Sequence, residues 1–269
     1  TEVTVIDRGQ RSFDTIPPDV ARVVVDAVTS RNVVVRYDVE AAAIAPVDRP
    51  GDDAVELTLS DGEVIEVDRV VVAIGRRPRT DGIGLDAVGL DPSEPLPVDS
   101  NGRVRCEGSV WAMGDVAGMG QYTHLANHHA AVVADHLVGT RTRTFDEVVL
   151  GSCMFTAPPL IQVGPQWSEL VDDPDVVSVG YDLASFPRAA TDRLGAGHLW
   201  VAARRSSGTV VAASGAGPHF DELVHALVIA VDGRVPLARL RRSMQPFPTI
   251  GEILGPIWAD LHDDLTSAA

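Results

Sequence analysis

The chain contains no lysine: all 22 of its basic residues are arginines. A Schiff-base lysine and a P-loop lysine are therefore excluded, together with the mechanisms built on either. Cysteine is nearly as scarce. Cys106 and Cys153 are the two present, too far apart for a C-x-x-C or C-x4-C redox pair and without zinc spacing around either, so both are expected to be core thiols. No apolar run reaches the roughly 18 residues that a membrane span requires, and the first residues lack the basic, apolar and small-residue zones of a secretion signal. The expected location is the cytoplasm. Basic residues are outnumbered by 38 acidic ones, and the net charge of −16 repels phosphate backbones and anionic lipid, so neither nucleic acid nor a membrane is an expected partner.

What remains is a chain of 269 residues, 45% apolar, enough for a large core or about two domains. Its most informative stretch is Ser109-Val-Trp-Ala-Met-Gly-Asp-Val-Ala-Gly118, followed by Tyr122-Thr-His-Leu-Ala126. A strand ending in Ala-Met-Gly-Asp, a Gly-rich turn and a new helix would set one carboxylate and several free backbone N–H groups against a polar ligand.

Upstream, Glu2–Ile6 reads as a β-branched strand ending in Asp7-Arg8-Gly9, and Asp19 to about Ser30 has helical spacing with Val20, Val23, Val24 and Val28 on one side. Asn32–Tyr37 and Val39–Pro46 read as strands. Val55–Leu59 alternates, Ser60-Asp-Gly62 turns, and Val64–Val67 pairs back as a hairpin. Val70-Val-Val-Ala-Ile-Gly75 predicts a strand buried on both faces of a parallel sheet, leaving at Arg76-Arg-Pro78 where such sheets bind ligands. A short strand is expected at Leu96–Val98.

From Thr123 to about Leu137 a helical stripe runs through Leu125, Ala126, Ala130, Val133, Ala134 and Leu137. His124 and His128 stand at i, i+4, but the motif supplies no third ligand, so no metal is expected and the histidines are assigned to the helix surface or an interface. Past Thr140-Arg-Thr-Arg143 the character changes. Strands at Phe155–Gly164, His198–Ala203 and Thr209–Ser214, with helices at Phe220–Val231 and Pro236–Arg242, predict a separate α+β domain beginning near residue 147.

Four of these segments occur in an order that resembles the pyridine-nucleotide-dependent flavoprotein disulfide reductases, such as lipoamide dehydrogenase and mercuric reductase. Thr4-Val-Ile-Asp-Arg resembles the second strand of that family's nicotinamide domain, and Ala73-Ile-Gly-Arg-Arg-Pro78 its A-x-G-R-x-P exit. Val110-Trp-Ala-Met-Gly-Asp115 with Tyr122-Thr-His-Leu-Ala126 resembles its second flavin motif. Phe155-Thr-x-Pro…Val-Gly164 resembles the start of its dimerisation domain. The resemblance implies an α/β fold with partial Rossmann-like nicotinamide- and FAD-binding domains, followed by an α+β dimerisation domain. The corresponding divisions are 1–77, 78–146 and 147–269, and a homodimer is implied.

The same resemblance implies cofactors and site residues. Asp115 would accept a hydrogen bond from a ribityl hydroxyl of FAD, and Gly114 would let the backbone approach. The helix opening at Tyr122 and Thr123, with His124 and Ala126 in its first turn, would aim N–H groups at the flavin's N1–C2=O edge. Asp7, Arg8, Gly75 and Arg76 would serve the nicotinamide cofactor. An acid in the place of Asp7 favours ribose hydroxyls and hence NAD, whereas Arg8 and Arg11 suit the 2′-phosphate of NADP.

Three departures from the family pattern matter. No G-x-G-x-x-G fingerprint and no C-x4-C pair occurs, and the chain reads as the C-terminal portion of a longer protein. The third lies in Gln245-Pro-Phe-Pro-Thr-Ile-Gly-Glu252, where Phe247 stands in the place of the family's histidine and Glu252 in that of the acid that orients it. A phenyl ring cannot trade protons, so no catalytic residue is assigned, and Phe247 suits either a flat acceptor or the packing of a dimer interface. The intact enzyme is expected to pass a hydride from NAD(P)H to FAD and on to a small-molecule electron acceptor such as a quinone. The alternatives are a dihydrolipoyl dehydrogenase-like disulfide reductase with another proton donor, and a non-catalytic truncated or dimerising fragment.

Overall fold

A computed structural model describes residues 1–47, 54–140, 142–145 and 148–267. By contact the chain forms two compact units, one of Thr1–Val72 with Gly151–Ala269, the other of Ala73–Leu150. The division expected at 146/147 falls outside the described residues.

In the first unit, β1 (Val3–Asp7) and β2 (Val33–Tyr37) pair in parallel, with Val3 opposite Val33 and Asp7 opposite Tyr37, and α1 (Pro18–Thr29) connects them. This is a βαβ unit. Proline at the first position of α1 presets its φ where no N–H is needed, and Asp19 in the first turn complements the helix dipole. Next come β3 (Ala41–Pro46), β4 (Val55–Leu59) and β5 (Val64–Val67), an antiparallel sheet in that order. Alternation along β4 buries Leu57 and Leu59, and Gly62, at φ +89°, makes the predicted turn.

The same unit contains a five-stranded antiparallel sheet in the order β6 (Gly151–Met154), β7 (Leu160–Val163), β10 (Thr209–Ala216), β9 (His198–Arg204), β8 (Val176–Asp182). Between β7 and β8 lies α3 (Trp167–Leu170), and between β8 and β9 lies α4 (Pro187–Asp192). After β10 follow α5 (Leu223–Asp232), α6 (Leu237–Leu240) and α7 (Leu254–Ser267). Helix α5 packs on β7 and β10, and α7 on β8. Helix α1 sets its buried Val20 and Val24 against Leu160, Trp200, Ala202 and Ala212 of this sheet. Burying each such valine contributes roughly 1.5 kcal/mol or more. The two ends of the unit are further tied by Arg31, whose guanidinium donates to the carbonyl of Ala157 at 2.9 Å.

The second unit is built on α2 (Thr123–Val138) and a 3-10 turn at Gly114–Ala117. One small core holds Leu85, Leu96, Val104 and Ala112, with Cys106 against it, and another holds Ala117, Val132, Val133 and Phe145. Among the described residues no helix is long and apolar enough to cross a membrane.

Several expectations are corrected. Val70–Gly75 is not a strand: Val71 is 88% and Ile74 94% exposed. A fully buried strand needs neighbours for its N–H and C=O groups, and this segment has no strand partner among the described residues. The strand expected before Asp115 shrinks to a bridge between Trp111 and Arg103, and that at Leu96–Val98 to a bridge between Val98 and Val104. Phe155–Gly164 is a strand only over Leu160–Val163, because the adjacent Pro158 and Pro159 cannot donate to a ladder. Strands β6 and β8 and helices α3, α4 and α7 were not anticipated, although Leu254, Ile257, Trp258 and Leu261 of α7 show the buried-face spacing.

Candidate functional site

Met113 is extended, Gly114 turns into φ +73°, and the chain enters the 3-10 turn that carries Asp115. A non-glycine residue is strained at that φ, and space is short as well, because a Cβ on Gly114 would lie 3.1 Å from the Cβ of Ala126 in the first turn of α2. The need for glycine is thus set inside the protein, by the close approach of turn and helix. The Asp115 side chain is exposed and makes no hydrogen bond or ion pair among the described residues. It lines a cleft of about 500 Å3 with Arg76, Arg77, Arg79, Met113 and Gln121. The Gln121 amide donates to the Arg76 carbonyl at 3.3 Å, which ties the Gly75-Arg76 exit to the start of α2.

Helix α2 begins after Tyr122 with no side-chain cap on its first N–H groups. Sixteen residues of aligned peptides therefore present their positive end with no side-chain cap among the described residues. Thr123 and His124 are exposed there, and the His124 ring lies 5.4 Å from that of Tyr122. Farther along, His128 pairs its Nε2 with the Thr144 carbonyl at 3.1 Å.

The helix buries Leu125, His129, Val132 and Val133, whereas Ala130, Ala134 and Leu137 of the expected stripe are exposed. His129 is accordingly not a surface residue. It is 0% exposed, its Nδ1 accepts from the Gly114 N–H at 3.2 Å, and its ring stacks on Phe145 with centroids 3.9 Å apart. Burial, with His128 beside it, holds this imidazole below its ordinary 6.5. Its position at i+4 from Leu125 and three residues before Val132 was the signal that could have found it.

One compact unit therefore brings together Gly75, Arg76, Gly114, Asp115, Tyr122, Thr123, His124 and Ala126. The other holds Asp7, Arg8, Phe247 and Glu252. Asp7 Oδ1 accepts from the Gly9 N–H at 2.8 Å, which shapes the turn after β1 and leaves the second oxygen for a ligand, while Arg8 is exposed. Phe247 is 74% exposed in the loop before the 3-10 turn Ile250–Ile253. Glu252 is occupied otherwise than expected: its Oε1 accepts from the Arg188 N–H at 3.2 Å, in the first turn of α4. The thiol of Cys153 is pushed up by burial and by nearby Asp221, the opposite of what a nucleophile requires.

A free carboxylate and an uncapped helix N-terminus fit a ligand that offers hydroxyls to one and a carbonyl edge to the other. That donor set fits the ribityl chain and pyrimidine edge of a flavin. A βαβ segment, a glycine turn leading into a helix, and an antiparallel α+β portion place the chain in the mixed α/β class.

Comparison with known proteins gives the particular family. A family model described as pyridine nucleotide-disulphide oxidoreductase matches residues 1–134, and that of the same family's dimerisation domain matches residues 150–256. Dihydrolipoyl dehydrogenase of Chlamydia muridarum is 28% identical over 97% of this chain and 54% of its own length. That of Halobacterium salinarum is 33% identical over 75% of this chain and 44% of its own. In fold the chain is similar to the HOCl-induced flavoprotein disulfide reductase RclA from Escherichia coli, with TM-score 0.85, 21% identity, and 96% of this chain and 59% of that one covered. LpdA from Mycobacterium tuberculosis gives 0.86 and 23% over 97% and 56%. The chain belongs to the pyridine nucleotide-disulphide oxidoreductase family, whose members pair FAD with a pyridine nucleotide. It spans about half the length of the relatives it matches.

Proposed function

We propose that the intact protein oxidises NAD(P)H through FAD and delivers the electrons to a disulfide-class acceptor, as a dihydrolipoyl dehydrogenase-like reductase. The observation that carries the flavin reading is the free Asp115 carboxylate on the Gly114 turn, beside the uncapped start of α2. FAD, when bound, supplies the two-electron carrier between pyridine nucleotide and acceptor. Asp115 would accept from a ribityl hydroxyl. The N–H groups opening at Tyr122 and Thr123 would face the flavin's N1–C2=O edge and favour negative charge there by on the order of 1 kcal/mol. His124 and Ala126 would flank that edge.

The functional division keeps 1–77 for the nicotinamide cofactor, 78–146 for FAD and 147–269 for dimerisation. Asp7 would hold ribose hydroxyls and favour NAD over NADP, with the exposed Arg8 beside it in the same turn. The dimerisation-domain match supports a homodimer, and the expected location is the cytoplasm.

Relatives named dihydrolipoyl dehydrogenase support disulfide chemistry for the acceptor. Exposed Phe247 favours a second reading, a quinone or another flat acceptor stacked on an apolar ring. The full-length protein, assayed for NADH and NADPH oxidation with lipoamide and with a soluble quinone, decides between them. Faster turnover of lipoamide supports the first reading, and turnover of quinone alone supports the second. Neither reading survives if the protein carries no flavin.

A further inference from the structure

We propose that His129 is a positioning residue for the flavin: its unprotonated Nδ1 holds the Gly114 peptide, and with it the turn that presents Asp115. The inference takes the flavin reading as its starting point and adds a residue that touches no cofactor. Gly114 is buried, so its N–H must find an acceptor inside the protein. The acceptor is His129 Nδ1 at 3.2 Å, from a side chain fifteen residues later in sequence. Accepting at Nδ1 assigns the ring proton to Nε2.

Packing alone does not account for an imidazole in this position. Nε2 is buried and has no hydrogen-bond partner among the described residues, whereas a leucine would fill the space beside Phe145 without burying an unpaired donor. What a leucine would lack is the acceptor for Gly114. Protonation at Nδ1 would replace that acceptor with a second donor facing the Gly114 N–H, and the turn would open. Titratable groups around the ring are few. Helix α2 contributes His128, whose charge would oppose a second one, and His136 two turns on; the turn contributes Asp115; Phe145 brings only its ring.

The test uses the full-length protein with His129→Leu and His129→Asn, because an asparagine carbonyl can take the place of Nδ1 as acceptor but does not titrate. Two readouts are needed: hydrogen exchange at the Gly114 amide, and FAD affinity of the deflavinated protein at about pH 8 and about pH 4.5, the lower value lying well under the ordinary imidazole range because burial holds His129 below it. His129→Leu should speed exchange at Gly114 and weaken FAD about fivefold to tenfold, the fold-change one lost hydrogen bond produces. His129→Asn should keep both values near native and abolish the native loss of affinity at acid pH. Equal behaviour of the two variants, or an acid loss that persists in His129→Asn, would overturn the proposal. A native protein that binds no FAD at either pH defeats the flavin reading and this role with it, while the exchange data would still report the His129–Gly114 bond itself.

Discussion

Gly114 and Ala126 meet closely where the turn packs on the first turn of α2, and a Cβ on the glycine would lie 3.1 Å from that of the alanine, tighter than ordinary van der Waals contact. Gly114→Ala should therefore cost about 1–3 kcal/mol, combining a residue forced to φ +73° with the new contact. Urea unfolding of the full-length protein measures it. Adding Ala126→Gly should recover the contact portion only, since the φ penalty stays. Full recovery would show that backbone strain contributes nothing.

Glu252, which the family resemblance would make a histidine-orienting acid, accepts instead from the Arg188 N–H at the start of α4 through its carboxylate. That N–H is one of the first-turn donors that a helix cannot satisfy internally. Glu252→Ala should lower stability by about 1 kcal/mol, and Glu252→Gln, which keeps an acceptor oxygen, should lose much less. The pH profile of turnover should be unchanged in Glu252→Gln. A shifted limb would return Glu252 to the proton chemistry.

Tyr181 on β8 donates to the carboxylate of Asp260 on α7, and this bond, with a smaller contribution from partial desolvation, pushes the phenol from 10.0 up to about 12. The folded protein thus holds the phenolic proton more tightly than the unfolded chain. The contribution is complete below pH 10.0 and is lost as pH rises through about 12. Because the pair is largely exposed, Tyr181→Phe should cost no more than about 1 kcal/mol. Phenolate absorbance followed against pH checks the assignment: the latest-titrating tyrosine should vanish in the variant.

The parts legible in the sequence were those whose pattern is local. The β4–β5 hairpin announces itself through alternation and Gly62, and α1 through prolines followed by valines at helical spacing. The run at 70–75 misled because a buried strand is a property of its neighbours, and no strand among the described residues pairs with it. His129 was hidden for the opposite reason. A polar residue in an apolar stripe reads as solvent-facing, and its true partner, Gly114, lies beyond any helical period. Asp115 was found from its motif and Arg76 and Arg77 from the exit after Gly75, whereas Arg79 and Gln121, which line the same cleft, became visible only once that exit and the start of α2 were seen tied together.

The central claim is that Asp115 on its turn holds a flavin, and the most direct measurement is FAD affinity of the full-length protein compared with Asp115→Ala. Native protein should retain about one FAD per chain, and the variant should bind at least about tenfold more weakly, as expected for loss of a charge-assisted hydrogen bond. Unchanged affinity in Asp115→Ala would contradict the claim and remove Asp115 from the site.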